Sequence, residues 1–384
     1  MLKKLIGIAS ALSLLAVGIG STSATSLPTG PGPGYFASDN VEFVTHVPFN
    51  NDSAGGKLVG DYFYVTSSRG LLIYDVSDPV APAIVGVLPL LQTPYFAEED
   101  PDGNGEILLV GGFSEPGDAP GVLNVIDVED KTNPQIIGRL PGGDAHTTSC
   151  ILNCKWAYND DGTIIDLRDP TVPTIAGNWA EGTPAQGGGH DVTEVAPGMV
   201  MTSSTPMMLL DARKDPAKPK VIATVGGTEP RYIHANVWPQ KMKDKFLLVQ
   251  AETTSGVSTC DGEEDGSFMT FDATKWRKTH SFTMIDELRY ATGLPTEGRM
   301  PYGTYCAHWF DVHPSYKNGG LLAMAFYENG THFLEVSSKG KISETGYFVP
   351  MAGSVSADYW ITDEIVYAVD YNRGIDIIRY TDKP

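Results

Sequence analysis

The chain has 384 residues, of which 41% are hydrophobic, and a formal net charge of −20. That apolar fraction excludes wholesale disorder. The acidic balance argues against a nucleic-acid binder and against docking on an anionic membrane. With 42 Gly and 27 Pro, turns are frequent, which disfavours a helical bundle and favours an all-β fold of short strands.

Residues 1–24 read as a secretory signal peptide. Lys3 and Lys4 supply a positive start, an apolar run extends from Leu5 to Ile19, and small residues end at Thr22-Ser23-Ala24. Cleavage is expected after Ala24. A membrane anchor is the weaker reading, because the run is shorter than the roughly 20 residues that span a bilayer. Loss of Lys3 and Lys4 takes the net charge from −20 to −22. The mature protein is expected to be secreted or extracytoplasmic, in the periplasm or at the cell surface, with no membrane insertion. Residues 25–39 are expected to be a flexible N-terminal segment.

One phrase then recurs along residues 40–380: an apolar strand ending in an acidic residue, a Pro-containing turn, and another apolar strand. It reads GLLIYDVSDPVAPAIVGVLPL from Gly70, GVLNVIDVEDKTNPQIIGRL from Gly121, GTIIDLRDPTVPTIAGNW from Gly162 and MMLLDARKDPAKPKVIATV from Met207. Degenerate copies start at Ser281, Thr331 and Gly374. Each copy follows a strand rich in aromatic and β-branched residues, such as Tyr62-Phe63-Tyr64-Val65, which suit a half-buried pleat. Each unit thus supplies about four strands, one blade of a β-propeller. The expected fold is a seven-bladed β-propeller. Its last copy stops after three strands, and the mature N-terminal strand Val41–Val47 completes the ring and removes the sheet edges. Residues 252–280 are expected to form an insertion in the fifth blade.

Phrases such as LLIYDVSDPVAP, IIDLRDPTVP and MLLDARKDPAKP resemble the LVIVD-repeat family of extracytoplasmic bacterial β-propellers. The resemblance covers about residues 40–380. It implies the fold and is nearly silent on function, because one fold hosts many functions.

The four cysteines, Cys150, Cys154, Cys260 and Cys306, suggest two disulfides in an exported chain. Cys150 and Cys154 flank a hairpin turn and are the preferred pair, which leaves Cys260 with Cys306. Four cysteines allow three connectivities, and a free Cys306 would be a thiolate ligand instead.

The start of each inner strand carries the functional signal. The segments FAEED, DAHTT, GGHDV, YIHAN, CAHWF and SADYW align Glu98, His146, His190, His234, His308 and Asp358 at intervals of 48, 44, 44, 74 and 50 residues. The first blade offers only Ala54-Gly55-Gly56 there. Equivalent positions on neighbouring inner strands converge on the channel axis, where imidazoles can bind a transition metal such as Cu, Fe or Zn. Glu98 and Asp358 would be further ligands or would orient the histidines. The competing reading is structural: each His hydrogen-bonds within its own blade, as in WD-repeat propellers. Arg231 and Tyr232, beside His234, are candidates to meet an anionic substrate.

Calcium is the lesser cofactor expectation. Asp100-Pro101-Asp102-Gly103-Asn104-Gly105 matches half of a calcium loop, but its twelfth position is Gly111. No complete catalytic motif appears and no catalytic residue is assigned. Two functions remain open. One is a metal- or small-ligand-binding propeller, extending to a metal-dependent oxidoreductase. The other is a non-catalytic scaffold for an extracellular protein or polysaccharide.

Overall fold

The computed structural model describes residues 34–48, 53–67, 70–90, 99–112, 121–143, 145–229, 231–254, 266–289 and 306–382. Strands β1 (Tyr35–Ala37) and β2 (Val41–Val47) precede a first antiparallel meander, β3 (Ser53–Val59), β4 (Tyr62–Ser67), β5 (Gly70–Asp75) and β6 (Ala83–Pro89). The second is β7 (Asp102–Gly103), β8 (Ile107–Val110), β9 (Val122–Asp127) and β10 (Gln135–Pro141). The third is β11 (Thr148–Ile151), β12 (Trp156–Asn159), β13 (Thr163–Asp166) and β14 (Thr174–Asn178). The fourth is β15 (Asp191–Ala196), β16 (Met199–Ser203), β17 (Met207–Asp211) and β18 (Lys220–Val225). The fifth is β19 (Tyr232–Val237), β20 (Phe246–Thr253), β21 (Ser267–Asp272) and β22 (Ser281–Arg289). The sixth is β23 (Phe310–Val312), β24 (Gly320–Ala325), β25 (Thr331–Val336) and β26 (Ile342–Pro350). Last come β27 (Val355–Trp360), β28 (Ile365–Asp370) and β29 (Gly374–Tyr380), and β2 pairs antiparallel with β29. The fourth and fifth meanders form one eight-stranded sheet through a short parallel contact of β18 with β22, Thr224 opposite Ser281.

The repeated acidic residue has a local task. Asp75, Asp127, Asp166, Asp211 and Asp272 each end a third strand, and each accepts a hydrogen bond from the backbone N–H two residues on, at 2.8–3.1 Å. A second acid repeats the device: Asp78, Asp130 and Asp169 accept from Val80, Thr132 and Thr171. Short side chains of this kind stabilise turns by holding nearby backbone donors. Asp272 corrects the expectation for 252–280. Ser267–Asp272 is the third strand of the fifth meander, and the phrase from Ser281 is its outer strand. The extra length is divided between the connection from β20 to β21, between Thr253 and Ser267, and the longer one from β22 to β23, between Arg289 and Phe310. Within the segment expected to be flexible, residues 25–33 lie outside the described residues, and Tyr35–Ala37 pairs with Phe348–Pro350 as a fifth strand on the sixth meander.

Middle strands are buried on both faces, as in β16 and β28, whereas outer strands such as β6 and β14 carry exposed residues. Hydrophobic clusters fill the space between successive meanders. Met201, Leu209, Leu247 and Phe271 join the fourth to the fifth. Phe63, Val65 and Tyr74 pack with Tyr367, Val369 and Ile377, so the first meander rests on the last. This arrangement brings the starts of the first strands of successive meanders into proximity, where the polar residues of the site lie.

Candidate metal centre

Four histidines stand at corresponding places. His146, His190 and His308 precede β11, β15 and β23 by one or two residues, and His234 lies in β19. All four Nε2 atoms face one carboxylate oxygen. Glu99 Oε2 is 3.1 Å from His146, 3.8 Å from His190, 3.8 Å from His234 and 3.4 Å from His308. Glu99, His190 and His234 form a possible donor set, with ligand atoms that all lie within 4.8 Å of one another. His146 and His308 flank it. The His190 and His234 rings stack with centroids 3.6 Å apart, and His308 lies 4.3 Å from His234.

Hydrogen bonds from one meander to the next hold these groups. His190 Nδ1 donates to the His234 carbonyl at 3.1 Å, and His308 Nδ1 donates to the Ser356 carbonyl. A carbonyl can only accept, so both rings present the Nε2 lone pair to the centre when neutral. Thr147 Oγ1 donates to the His190 carbonyl at 2.7 Å, and Gln250 Nε2 to the Ala307 carbonyl at 2.7 Å. The Glu99 carboxylate also accepts from Tyr371 Oη at 2.7 Å and from Trp309 Nε1 at 3.3 Å.

His234 is 0% exposed, and neither ring nitrogen has a hydrogen-bond partner. A buried polar atom without a partner costs about 1–3 kcal/mol, and a bound ion would satisfy it. The donor chemistry fits a first-row transition metal, with imidazole nitrogens and one carboxylate around a small space.

Electrostatics divide the four imidazoles into two kinds. Burial, reinforced by the charge of His146, pushes His190 down to about 3. Burial and the neighbouring imidazoles likewise hold His234 well below the ordinary histidine value. Burial opposes protonation of His146, but Glu99 overrides it and raises that ring to about 9. His308 is raised in the same way. Burial would raise the Glu99 carboxyl, yet His146 and His308 hold it well below the carboxylate range. Burial thus favours the neutral ring at His190 and His234, whereas Glu99 favours the protonated ring at His146 and His308.

Glu98 lies outside the described residues, and its neighbour Glu99 is the acid that reaches the centre. The first meander makes room for it. A Cβ on Gly55 would sit 1.7 Å from the Glu99 carbonyl oxygen, so Gly55 allows that backbone to approach the axis. Asp358 does not join the group. A register shift between Val355 and Ala357 puts Ser356 against His308, and Asp358 Oδ1 instead accepts from Thr331 Oγ1 at 2.7 Å. Cys150 and Cys154 are disulfide-bonded to each other. Cys306 is buried and disulfide-bonded, which removes its thiolate-ligand role; Cys260, its expected partner, lies outside the described residues. Arg231 offers no charge to an anion here, because Glu287 takes it at 2.8 and 2.9 Å. The half calcium loop is also committed internally. Asp102 pairs with Lys57 at 2.7 Å and accepts from the Cys150 N–H, and Asn104 Oδ1 accepts from the N–H groups of Glu106 and Ile107.

The centre forms the floor of a cavity of about 610 Å³, whose walls include Tyr232, Glu252, Tyr327, Glu328 and Tyr371. Tyr327 Oη donates to Glu252 Oε1 at 2.8 Å. Sequence spacing singled out the histidines, and Tyr232 was noted only as a neighbour of His234. Spacing did not pick out Trp309, which adjoins His308, or Glu252, Tyr327 and Tyr371, which stand at or just past the ends of β20, β24 and β28, the second strands of the last three meanders.

Comparison with known proteins agrees with this architecture. Residues 57–88 match the family model of the LVIVD repeat, so the chain carries a repeat typical of propeller proteins. No curated protein matches the sequence. Solved propellers match the fold at low identity. The WD40 β-propeller domain of Doa1 aligns with TM-score 0.56 and 11% identity over 89% of this chain and 97% of that one. The WD40 repeats of RRP9 give 0.54 and 10% over 91% and 100%. YCF48, solved bound to D1 peptide, gives 0.53 and 11% over 94% and 100%. The chain is an all-β protein with β-propeller structural neighbours.

Proposed function

We infer that this chain is an exported seven-bladed β-propeller that binds a transition metal at its channel mouth, through His146, His190, His234 and His308 with Glu99. The observation that carries the reading is the convergence of four Nε2 atoms within 3.8 Å of Glu99 Oε2, with buried His234 lacking any hydrogen-bond partner. Seven units and closure by β2 are supported by the pairing of β2 with β29 and by packing of the last meander on the first. Export is supported by the leader pattern of residues 1–24 and by an LVIVD repeat. No helix among the described residues is long and apolar enough to cross a membrane.

A metal held there with an open position supplies Lewis-acid or redox chemistry. The protein's own residues set its surroundings. His190 and His308 are oriented through their Nδ1 hydrogen bonds. Tyr371 and Trp309 fix the Glu99 carboxylate. The 610 Å³ cavity above the floor is in the size range of small-molecule sites, which extends the reading to an oxidoreductase acting on a small ligand.

Elemental analysis of protein purified from its own compartment tests the proposal. The expected result is near-stoichiometric Cu, Fe or Zn that disappears in a His190→Ala, His234→Ala double variant that remains folded. Metal-free protein whose stability does not change on adding Cu, Fe, Zn or Mn would contradict it and favour a non-catalytic scaffold.

A further inference from the structure

The three tyrosines that line the cavity differ in what their hydroxyls do. Tyr371 Oη donates to Glu99 Oε1 at 2.7 Å, and Tyr327 Oη donates to Glu252 Oε1 at 2.8 Å. Tyr232 lines the same cavity, yet its Oη has no hydrogen-bond partner among the described residues. Its ring stands edge-on to His190, with centroids 5.9 Å apart and planes at 80°, so the phenol is held beside the floor. Strand pairing accounts for the placement. In the ladder of β19 with β20, Tyr232 pairs with Thr253, Ile233 with Ala251 and Ala235 with Gln250, so Glu252 and His234 are each passed over. Irregularities of this kind re-aim side chains, and Tyr232, His234 and Glu252 all line the cavity. A phenol at neutral pH keeps its proton and can donate it to an acceptor. Arg231, the neighbouring cation, cannot take that part, because Glu287 holds it.

We propose that Tyr232 donates a hydrogen bond to a small ligand bound at the centre, and so favours ligands whose metal-facing atom keeps a lone pair, as an anionic oxygen or nitrogen does. The proposal rests on the metal-centre reading. The mature protein and a Tyr232→Phe variant are loaded with copper(II) and titrated, with visible absorption as the readout, against azide and separately against pyridine. The change removes one hydroxyl and keeps the ring against His190. Azide retains a lone pair on the nitrogen it gives to a metal, whereas pyridine gives up the one it has. The variant is expected to bind azide about tenfold more weakly and pyridine with unchanged affinity. The carboxylates of the cavity oppose an anion in both proteins alike, so the comparison isolates the hydroxyl. Equal azide affinity in the two proteins would overturn the proposal. An equal loss for azide and pyridine would overturn it too, because Tyr232 would then only shape the space, and so would loaded wild type that binds no azide. A folded variant that holds no copper would instead place Tyr232 among the groups that build the centre, and would also overturn it. Wild type that takes up no copper, seen by elemental analysis before any titration, would sink the metal-centre reading and this proposal together.

Discussion

At the scale of single residues, His146, His190, His234 and His308 come together around Glu99, whereas Asp358 lies away from that group and Glu98 lies outside the described residues. His146, His190, His234 and His308 follow from repeat spacing because each occupies a regular place at an inner-strand start. Glu99 and Asp358 depart from it for physical reasons. Glu99 lies where Gly55 opens space for its backbone, and Asp358 is turned away by a register shift in β27. Asp358 now carries a stability prediction. Burial raises its carboxyl well above the ordinary value, the Thr331 hydrogen bond opposes this in part, and Asp311 adds to it. Below about pH 4 the group is protonated in both folded and unfolded chains. As pH rises, the unfolded carboxyl ionises first, so folding loses stability until the folded group also ionises. Asp358→Asn keeps an acceptor for Thr331 without that penalty. Denaturant unfolding should therefore show the variant gaining on wild type as the pH rises from 4 to 7. An equal difference at both pH values would show that the carboxylate is accommodated in its charged form.

At the scale of elements, the acid-and-proline phrase was legible because it has a local cause. Each Asp holds the backbone N–H that starts the turn, so the motif survives wherever the third strand ends. The fifth meander misled the reading, since Ser281–Arg289 is apolar enough to imitate a third strand while the true one, ending at Asp272, follows a long connection. The terminal strands test the proposed closure. β2 bonds to β29 and carries Val47 into the cluster shared by the first and last meanders, whereas β1 adds to the outer edge of β26. A mature chain shortened to begin at residue 40 should unfold in one cooperative thermal transition near that of the full chain. A chain beginning at residue 53, lacking β2, exposes the β29 edge and should melt at a markedly lower temperature or aggregate. Equal transitions for both would show that β2 does not close the ring.

At the scale of the whole molecule, rotational repetition makes a site that no contiguous segment contains. The histidines lie 44, 44 and 74 residues apart in sequence, yet meet around one carboxylate oxygen. The fold and the imidazoles were legible from the repeat itself. The walls were missed although Glu252, Tyr327 and Tyr371 stand at corresponding places, at or just past the ends of β20, β24 and β28 and 75 and 44 residues apart, because their residue types differ and carry no ligand signature of their own. Nothing in a local sequence records which strand ends a ring of sheets brings face to face. X-ray absorption spectroscopy of the metal-loaded mature protein tests the centre most directly. Three or four imidazole nitrogens at about 2.0–2.1 Å, with a carboxylate oxygen, are expected around Zn, and fewer nitrogens after the His190→Ala, His234→Ala change. A spectrum of water oxygens alone, unaltered by that change, would contradict it.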